Sequence, residues 1–363
     1  MSESGNSYGG KWEKRWHPLR REWVVYAAHR NNRPWDFDIK ESVHNAPEFD
    51  PKCYLCPGNA RVSGRKNPQY PDVFIFENDH PVVGLNSPEI ADHYLHDHLY
   101  RRERALGLAK VVCYDPRHNV TLTDLDTESI AKVFMSLRDE MIFFQQHPDI
   151  RSVLIFENKG EIVGVSNPHP HCQIYATDFV FNVVQKELSA MQLYKEETGR
   201  NIFADIIAAE QKDEIRVIAE NEYAIAFIPF FARFAYETYI FPKKAHQTLI
   251  TMSDDELFGL ADVYRRVTRK FDANFKSVFP YILAFDQAPV DGRDYPGYHM
   301  GASLINLNLM NVKNWDEIVA LVADAAKKAK PGDWIIGRGW HQEKWDHGGG
   351  RRRLPYSAVS RGR

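Results

Sequence analysis

The residues of this chain best suited to covalent chemistry are two histidines around a proline, His169-Pro170-His171, with an amide two residues on at Gln173. Pro170 fixes its own φ and biases His169 toward an extended conformation. Extended residues at i and i+2 share a face. His169, His171 and Gln173 are therefore expected on one side of a strand beginning near His169. A neutral imidazole is a nucleophile, and its unperturbed pKa of about 6.5 keeps it largely neutral at pH 7. The plainer alternative is two polar residues in an ordinary loop.

A second group is Cys53-Tyr54-Leu55-Cys56-Pro57-Gly58-Asn59. CxxC is a metal knuckle, a redox pair or chance. A redox motif usually opens a helix in a βαβ unit, whereas Pro-Gly-Asn makes a tight turn. Zinc needs two further N or S ligands, for which His118 and His169 are candidates. Cys113 and Cys172 lack a metal spacing and read as small packing residues.

The elements that must position these groups follow from periodicity. Val153-Leu154-Ile155-Phe156 is an apolar strand, separated by Gly160 and Gly164 from the strand that carries the histidines. Further strands are expected over 22–26, 73–76 and 110–114. Ile130, Val133, Phe134, Leu137 and Met141 recur at helical spacing. That helix starts at an Asp126 or Thr127 cap and stops before His147-Pro148. A helix is expected over 181–198. From about Asn201 a second unit begins, with strands over 215–219, 224–228 and 239–241. Ser253-Asp254-Asp255-Glu256 then opens a helix with the character of a capping box. The strand, strand, helix order of the first unit thus returns, as in a degenerate internal duplication. A last helix is expected over 315–330, before a basic tail from Gly348.

The totals bound the class. A length of 363 residues suggests about two domains, and 44% hydrophobic with 13% aromatic residues can build a sizeable core. A net charge of −3 argues against general nucleic-acid binding. No apolar run approaches the ~20 residues of a membrane helix, so no membrane partner is expected. The first ten residues are polar, without an export signal. Four cysteines in so long a chain are no disulfide framework, and the cytoplasm is the expected compartment.

The run from Gly164 through Ser166-Asn167-Pro168-His169-Pro170-His171-Cys172-Gln173 to Tyr175 resembles the active-site signature of galactose-1-phosphate uridylyltransferases, in the histidine-triad superfamily. The likeness extends from about Trp12 to about His299. It implies an α+β fold of two tandem histidine-triad-like units with antiparallel sheets and flanking helices. The units are a catalytic one over 12–185 and a second over 186–299, followed by an atypical segment over 300–363. Within that segment, residues 300–346 resemble a fragment of metal-dependent amidohydrolases.

The resemblance also implies a reaction: transfer of uridylyl from UDP-glucose to galactose 1-phosphate through a uridylyl-histidine on His171. Gln173 would donate to a non-bridging phosphoryl oxygen, where charge builds. A backbone carbonyl near His169 would hold the reactive tautomer of His171. Arg30, Arg33, Asn158 and Ser166 fall at substrate-binding places, and Asn78 and Asp79 at the uridine ribose. Cys53, Cys56, His118 and His169 match a structural zinc. Glu187, Asp286 and His299 fall at places of a second metal, iron or zinc, with Asp286 where a histidine is usual. A homodimer is implied as well. Two alternatives stand beside this reading. One is a related nucleotide hydrolase or phosphorylase, and the other is a zinc and nucleotide binder without turnover.

Overall fold

In the computed structural model the described residues are 12–27, 46–90, 103–160, 163, 165, 167–275 and 278–305. The frame is a sheet of nine strands. Six of them are β3 (Phe74–Glu77), β4 (Gly107–Cys113), β5 (Ser152–Lys159), β6 (His171–Thr177), β7 (Val217–Glu220) and β8 (Ala224–Phe227). The others are β9 (Thr238–Pro242), β10 (Tyr281–Asp286) and β11 (Gly301–Ile305). Their order across the sheet is β3-β4-β6-β5-β10-β11-β9-β8-β7. A separate antiparallel ribbon is formed by β1 (Trp12–His17) and β2 (Glu22–Ala27).

Strand alternation gives the sheet two faces. On β6, Cys172, Ile174 and Ala176 are buried in the main core, whereas His171, Gln173 and Tyr175 are partly exposed on the other side. The core side is covered by α1 (Thr127–Gln145) and α4 (Asp254–Phe275). Helix α1 begins where a side chain can cap it: Asp126 accepts from the Ser129 N–H at 2.8 Å. Ile130, Val133, Phe134, Leu137, Met141 and Phe144 form its buried stripe. The start of α4 is a capping box. Ser253 N–H donates to Glu256 Oε2 at 2.8 Å, and Glu256 N–H donates to Ser253 Oγ at 3.3 Å. A second core gathers α2 (Asn182–Thr198) and α3 (Ile202–Asp213) with Phe227, Phe241 and Tyr298.

The strand pairings contain an internal symmetry. β3, β4, α1, β5, β6 and β8, β9, α4, β10, β11 run in the same chain order. Read outward-in from each edge, they pair as β3-β4-β6-β5 and β8-β9-β11-β10, meeting at the β5–β10 seam. In this symmetry β11 stands for β6, and Gly301, its first residue, stands for His171. Two elements differ from the sequence expectation. Helix α3 was read as a connection, and β11 follows directly on His299, past which the character of the chain was expected to change. The helix over 315–330, the amidohydrolase-like segment and the basic tail lie outside the described residues.

Candidate active site and metal centre

The CxxC turn is held open by amides. Asn59 Nδ2 donates to the Asp50 and Cys53 carbonyls, and Asn67 Nδ2 to those of Tyr54 and Cys56. The Leu55 N–H points at Cys53 Sγ, 3.3 Å away. Two more stretches bring histidines to this turn: the loop after β4 brings His118, and the bend before β6 brings His169. Cys56 Sγ lies 3.7 Å from His118 Nδ1 and 3.6 Å from His169 Nδ1. One ligand atom from each of Cys53, Cys56, His118 and His169 falls within 4.8 Å of all the others, and all four residues are buried.

This set fits a metal. Bonds of about 2.0–2.3 Å to a tetrahedral ion place neighbouring ligand atoms about 3.6 Å apart, as the Cys56 distances show. The protonation states agree. Burial holds the His169 imidazole down to about 3, reinforced by His118 and His171, and burial lowers His118 as well. Both are therefore neutral ligands. Burial pushes the Cys56 thiol up to about 12, so a thiolate there calls for a cation beside it.

Tyr70 sets the tautomer. Its hydroxyl donates to the Leu55 carbonyl at 2.7 Å, so its contact of 2.9 Å with His169 Nε2 has His169 as donor. That leaves the Nδ1 lone pair of His169 for the metal. Asn167 adds a second brace, accepting from the His169 N–H at 3.0 Å and lying 3.4 Å from Cys53 Sγ through Nδ2. Neither Tyr70 nor Asn167 was singled out from the sequence. Tyr70 carries no local signal, whereas Asn167, two residues before a ligand, sits where an Asx turn is readable.

The bend also separates the two histidines. β6 begins at His171 rather than near His169, so the expected alternation does not reach back to His169. With Asn167 holding its N–H and Pro170 fixing the next φ, His169 turns to the metal centre. His171 Nδ1 donates to the His169 carbonyl at 2.7 Å, and its Nε2 carries no partner among the described residues. Burial lowers the His171 pKa, which keeps the imidazole neutral.

Gln173 lies next on this face. Its Oε1 accepts from Asn78 Nδ2 at 3.4 Å and from the Tyr175 hydroxyl at 3.2 Å. The amide N–H groups of Gln173 are thereby left for a ligand. Across the strand, Gln173 pairs with Phe156 of β5, and Asn158 is two residues further along the same face. Asp79 follows Asn78 and accepts from the Ser63 N–H at 3.3 Å. The structure thus gathers His171, Gln173, Asn78, Asp79 and Asn158 at one end of β3, β5 and β6. Arg30, Arg33 and Ser166 lie outside the described residues.

The second-metal expectation is not met. Among the described residues only the Cys53 group is competent to hold an ion. Glu187 Oε2 accepts from the Tyr298 hydroxyl at 2.7 Å, Asp286 from Ser303 Oγ at 3.4 Å, and His299 Nε2 donates to the Pro242 carbonyl at 2.8 Å. Burial pushes both carboxyls upward, with Asp286 adding to the rise at Glu187. The fourth place of this pseudo-symmetric site is Gly301, where a Cβ would stand 2.6 Å from Phe241 Cε1. A ring fills the space a side chain would need.

With this geometry in hand, comparison with known proteins is direct. Residues 9–180 match the N-terminal domain of galactose-1-phosphate uridyl transferase, and residues 187–327 match its C-terminal domain. The chain belongs to the galactose-1-phosphate uridylyltransferase family. The C-terminal match carries the likeness past His299, further than the sequence reading took it. The galactose-1-phosphate uridylyltransferase of Hypocrea jecorina is 33% identical over 308 residues, covering 77% of this chain and 81% of that protein. The protein of the same name from Haemophilus influenzae is 34% identical over 293 residues, covering 80% and 82%. A solved uridylyltransferase structure superposes with a TM-score of 0.65 at 27% identity, covering 85% of this chain and 92% of the other. An ADP-glucose phosphorylase from Arabidopsis thaliana shares the fold, with a TM-score of 0.66 at 23% identity over 84% and 91% of the two chains.

Proposed function

We propose that this protein transfers the uridylyl group of UDP-glucose to galactose 1-phosphate through a covalent uridylyl-histidine intermediate. His171 Nε2 attacks the α-phosphorus, the bond to the β-phosphate oxygen breaks, and glucose 1-phosphate leaves. A phosphate oxygen of galactose 1-phosphate then attacks the adduct, His171 is released, and UDP-galactose forms. Two displacements in sequence keep each attack in line. The observation that carries this reading is the bond from His171 Nδ1 to the His169 carbonyl. It keeps one proton on Nδ1 and the lone pair on Nε2, and it steadies the positive ring once Nε2 is phosphorylated. Gln173 donates its free amide N–H to a non-bridging oxygen. Asn158, Ser166, Arg30 and Arg33 bind the phosphates, and Asn78 and Asp79 the ribose.

The metal is zinc, since two thiols and two imidazoles at tetrahedral spacing suit that ion. Held by Cys53, Cys56, His118 and His169, it ties the bend before His171 to the CxxC turn, a structural contribution. Chemistry resides in the unit over 12–185, with the unit over 186–299 as its symmetric partner and 300–363 as an added segment. The protein works in the cytoplasm as a homodimer. Its four cysteines are free thiols, which suits a reducing compartment. No helix among the described residues is long and apolar enough to cross a membrane.

The test is UDP-glucose labelled at the α-phosphorus. An acid-labile protein adduct should form with release of glucose 1-phosphate and be discharged by galactose 1-phosphate. His171→Gly should abolish the adduct while leaving the fold intact. An adduct of equal yield in His171→Gly sinks the reading. Release of free UMP in water, or discharge by inorganic phosphate alone, favours the hydrolase or phosphorylase alternative.

A further inference from the structure

Beside the Asn78–Gln173 contact lies a cation that the reaction has not used. Arg61 is in the short turn after the CxxC motif, with its side chain only 8% exposed. Its guanidinium carbon stands 4.2 Å over the ring of Phe76, the β3 residue three before Asp79. Nε and Nη1 are buried and have no hydrogen-bond partner. Folded interiors pair nearly all such donors, so two in one side chain mark a place for a missing acceptor. The nearest anion is Asp79, with Nη1 3.8 Å from Oδ1. That distance is an ion pair but too long for a hydrogen bond. The Ser63 N–H holds Oδ2 of the same carboxylate at 3.3 Å, which leaves Oδ1 turned toward Arg61.

We infer that Arg61 and Asp79 together grip one hydroxyl of the nucleotide ribose, with Arg61 as donor and Asp79 as acceptor. The inference rests on the uridylyl-transfer reading above and adds to it a binding residue. An oxygen about 2.8 Å from each of two atoms spans a gap of this size. Only a group that both accepts and donates satisfies both sides, and a hydroxyl does. A phosphate oxygen would accept from Arg61 but be repelled by Asp79. A base carbonyl would leave Asp79 facing a second acceptor. Asp79 directly follows Asn78, whose amide touches Gln173, so the grip lies beside the phosphoryl site. The Phe76 ring fixes the guanidinium plane from below, which makes Arg61 a rigid donor.

The experiment is calorimetric titration of the wild type, Arg61→Ala and Arg61→Lys with UMP, 2′-deoxy-UMP and 3′-deoxy-UMP. Binding of UMP needs no turnover. The wild type should prefer UMP over one of the two deoxy analogues. Arg61→Ala should lose roughly 10–100-fold for UMP, the scale of a charge-assisted hydrogen bond, and under about 3-fold for that analogue, since the hydroxyl it holds is already gone. Arg61→Lys should recover part of the preference. Equal losses for all three ligands would mean Arg61 only shapes the loop, and would overturn the inference. So would an unchanged ribose preference in Arg61→Ala. Should Arg61→Ala fail to fold, the ribose preference of Arg61→Lys decides, because it keeps the charge and shortens the reach. A wild type that binds none of the ligands sinks the uridylyl-transfer reading itself, a different result from UMP binding that ignores Arg61.

Discussion

At the scale of single residues, the two histidines of the bend differ through their second nitrogen. His169 gives its Nε2–H to Tyr70 and keeps Nδ1 for the metal, whereas His171 gives its Nδ1–H to the His169 carbonyl and keeps Nε2 for chemistry. Removing the Tyr70 hydroxyl frees the His169 tautomer and leaves the Leu55 carbonyl without its donor. Tyr70→Phe should weaken metal binding by roughly 10–100-fold, as outer-shell partners of ligating histidines commonly do. Competition with a chromophoric chelator checks this, and an unchanged affinity would show that packing alone fixes the ring. The ligands themselves were legible because Cys and His at these spacings are rare and chemically distinct. Tyr70 and Arg61 were not, since each acts through a contact made only after the CxxC turn folds onto β3 and β6.

Glu157 shows the same scale on the opposite face of β5. It is buried beside Tyr281, whose hydroxyl donates at 3.4 Å and in turn meets that of Tyr264. Burial pushes its carboxyl up to about 7 from about 4.5, against the pull of Lys159, Tyr114 and Tyr281. Between those values the folded chain binds more protons at this group than the unfolded chain does. Its contribution to stability is therefore full below about pH 4.5 and is lost as pH rises through about 7. Glu157→Gln should flatten that part of the profile, with the variant gaining on the wild type as pH increases. Denaturant midpoints at pH 5 and pH 8 measure it, and parallel profiles would assign the proton elsewhere.

At the scale of elements, the symmetry of β6 and β11 explains why one edge of the bend is reactive and the other is not. Both strands follow a histidine by two residues, His169 before His171 and His299 before Gly301. β6 opens into a cleft, whereas β11 opens against Phe241. Gly301→Ala should cost about 1–3 kcal/mol, the usual penalty of overpacking, because its Cβ meets that ring at 2.6 Å. Phe241→Leu in the same chain should recover part of the loss by freeing the clash. Additive losses in the double variant would contradict the contact. Much of this level was legible in the sequence. The α1 stripe and the Ser253–Glu256 box encode their helices locally, and both appear where periodicity and capping put them. β11 and its pairing with β10 were not legible. A five-residue strand has little periodicity of its own, and Gly301 reads as a breaker until Phe241 is seen to require it.

At the scale of the whole molecule, the metal joins three stretches that are distant along the chain: the CxxC turn, the loop after β4 and the bend before β6. Without the ion, the turn keeps only a few hydrogen bonds to the sheet, such as His118 N–H to the Glu48 carbonyl at 2.8 Å. Two thiols and two imidazoles remain buried around a gap. Structural zinc contributes about 10 kcal/mol or more of apparent folding free energy in small domains that lack another core. Here α1 and the sheet supply a core of their own, so the loss should be local rather than global. Stripping the metal should raise amide exchange over residues 46–70 and at the start of β6. Exchange in β8 and β9, at the far side of the sheet and packed on α4, should stay slow. The same treatment should lower the yield of the His171 adduct, because the His169 carbonyl that holds its tautomer belongs to the loosened bend. Returning one equivalent of zinc should reverse both effects. Exchange measured by mass spectrometry on metal-free and refilled protein checks this. Uniform loosening of all nine strands would show the centre to be a keystone of the entire sheet, and no change at the bend would separate it from the reactive histidine.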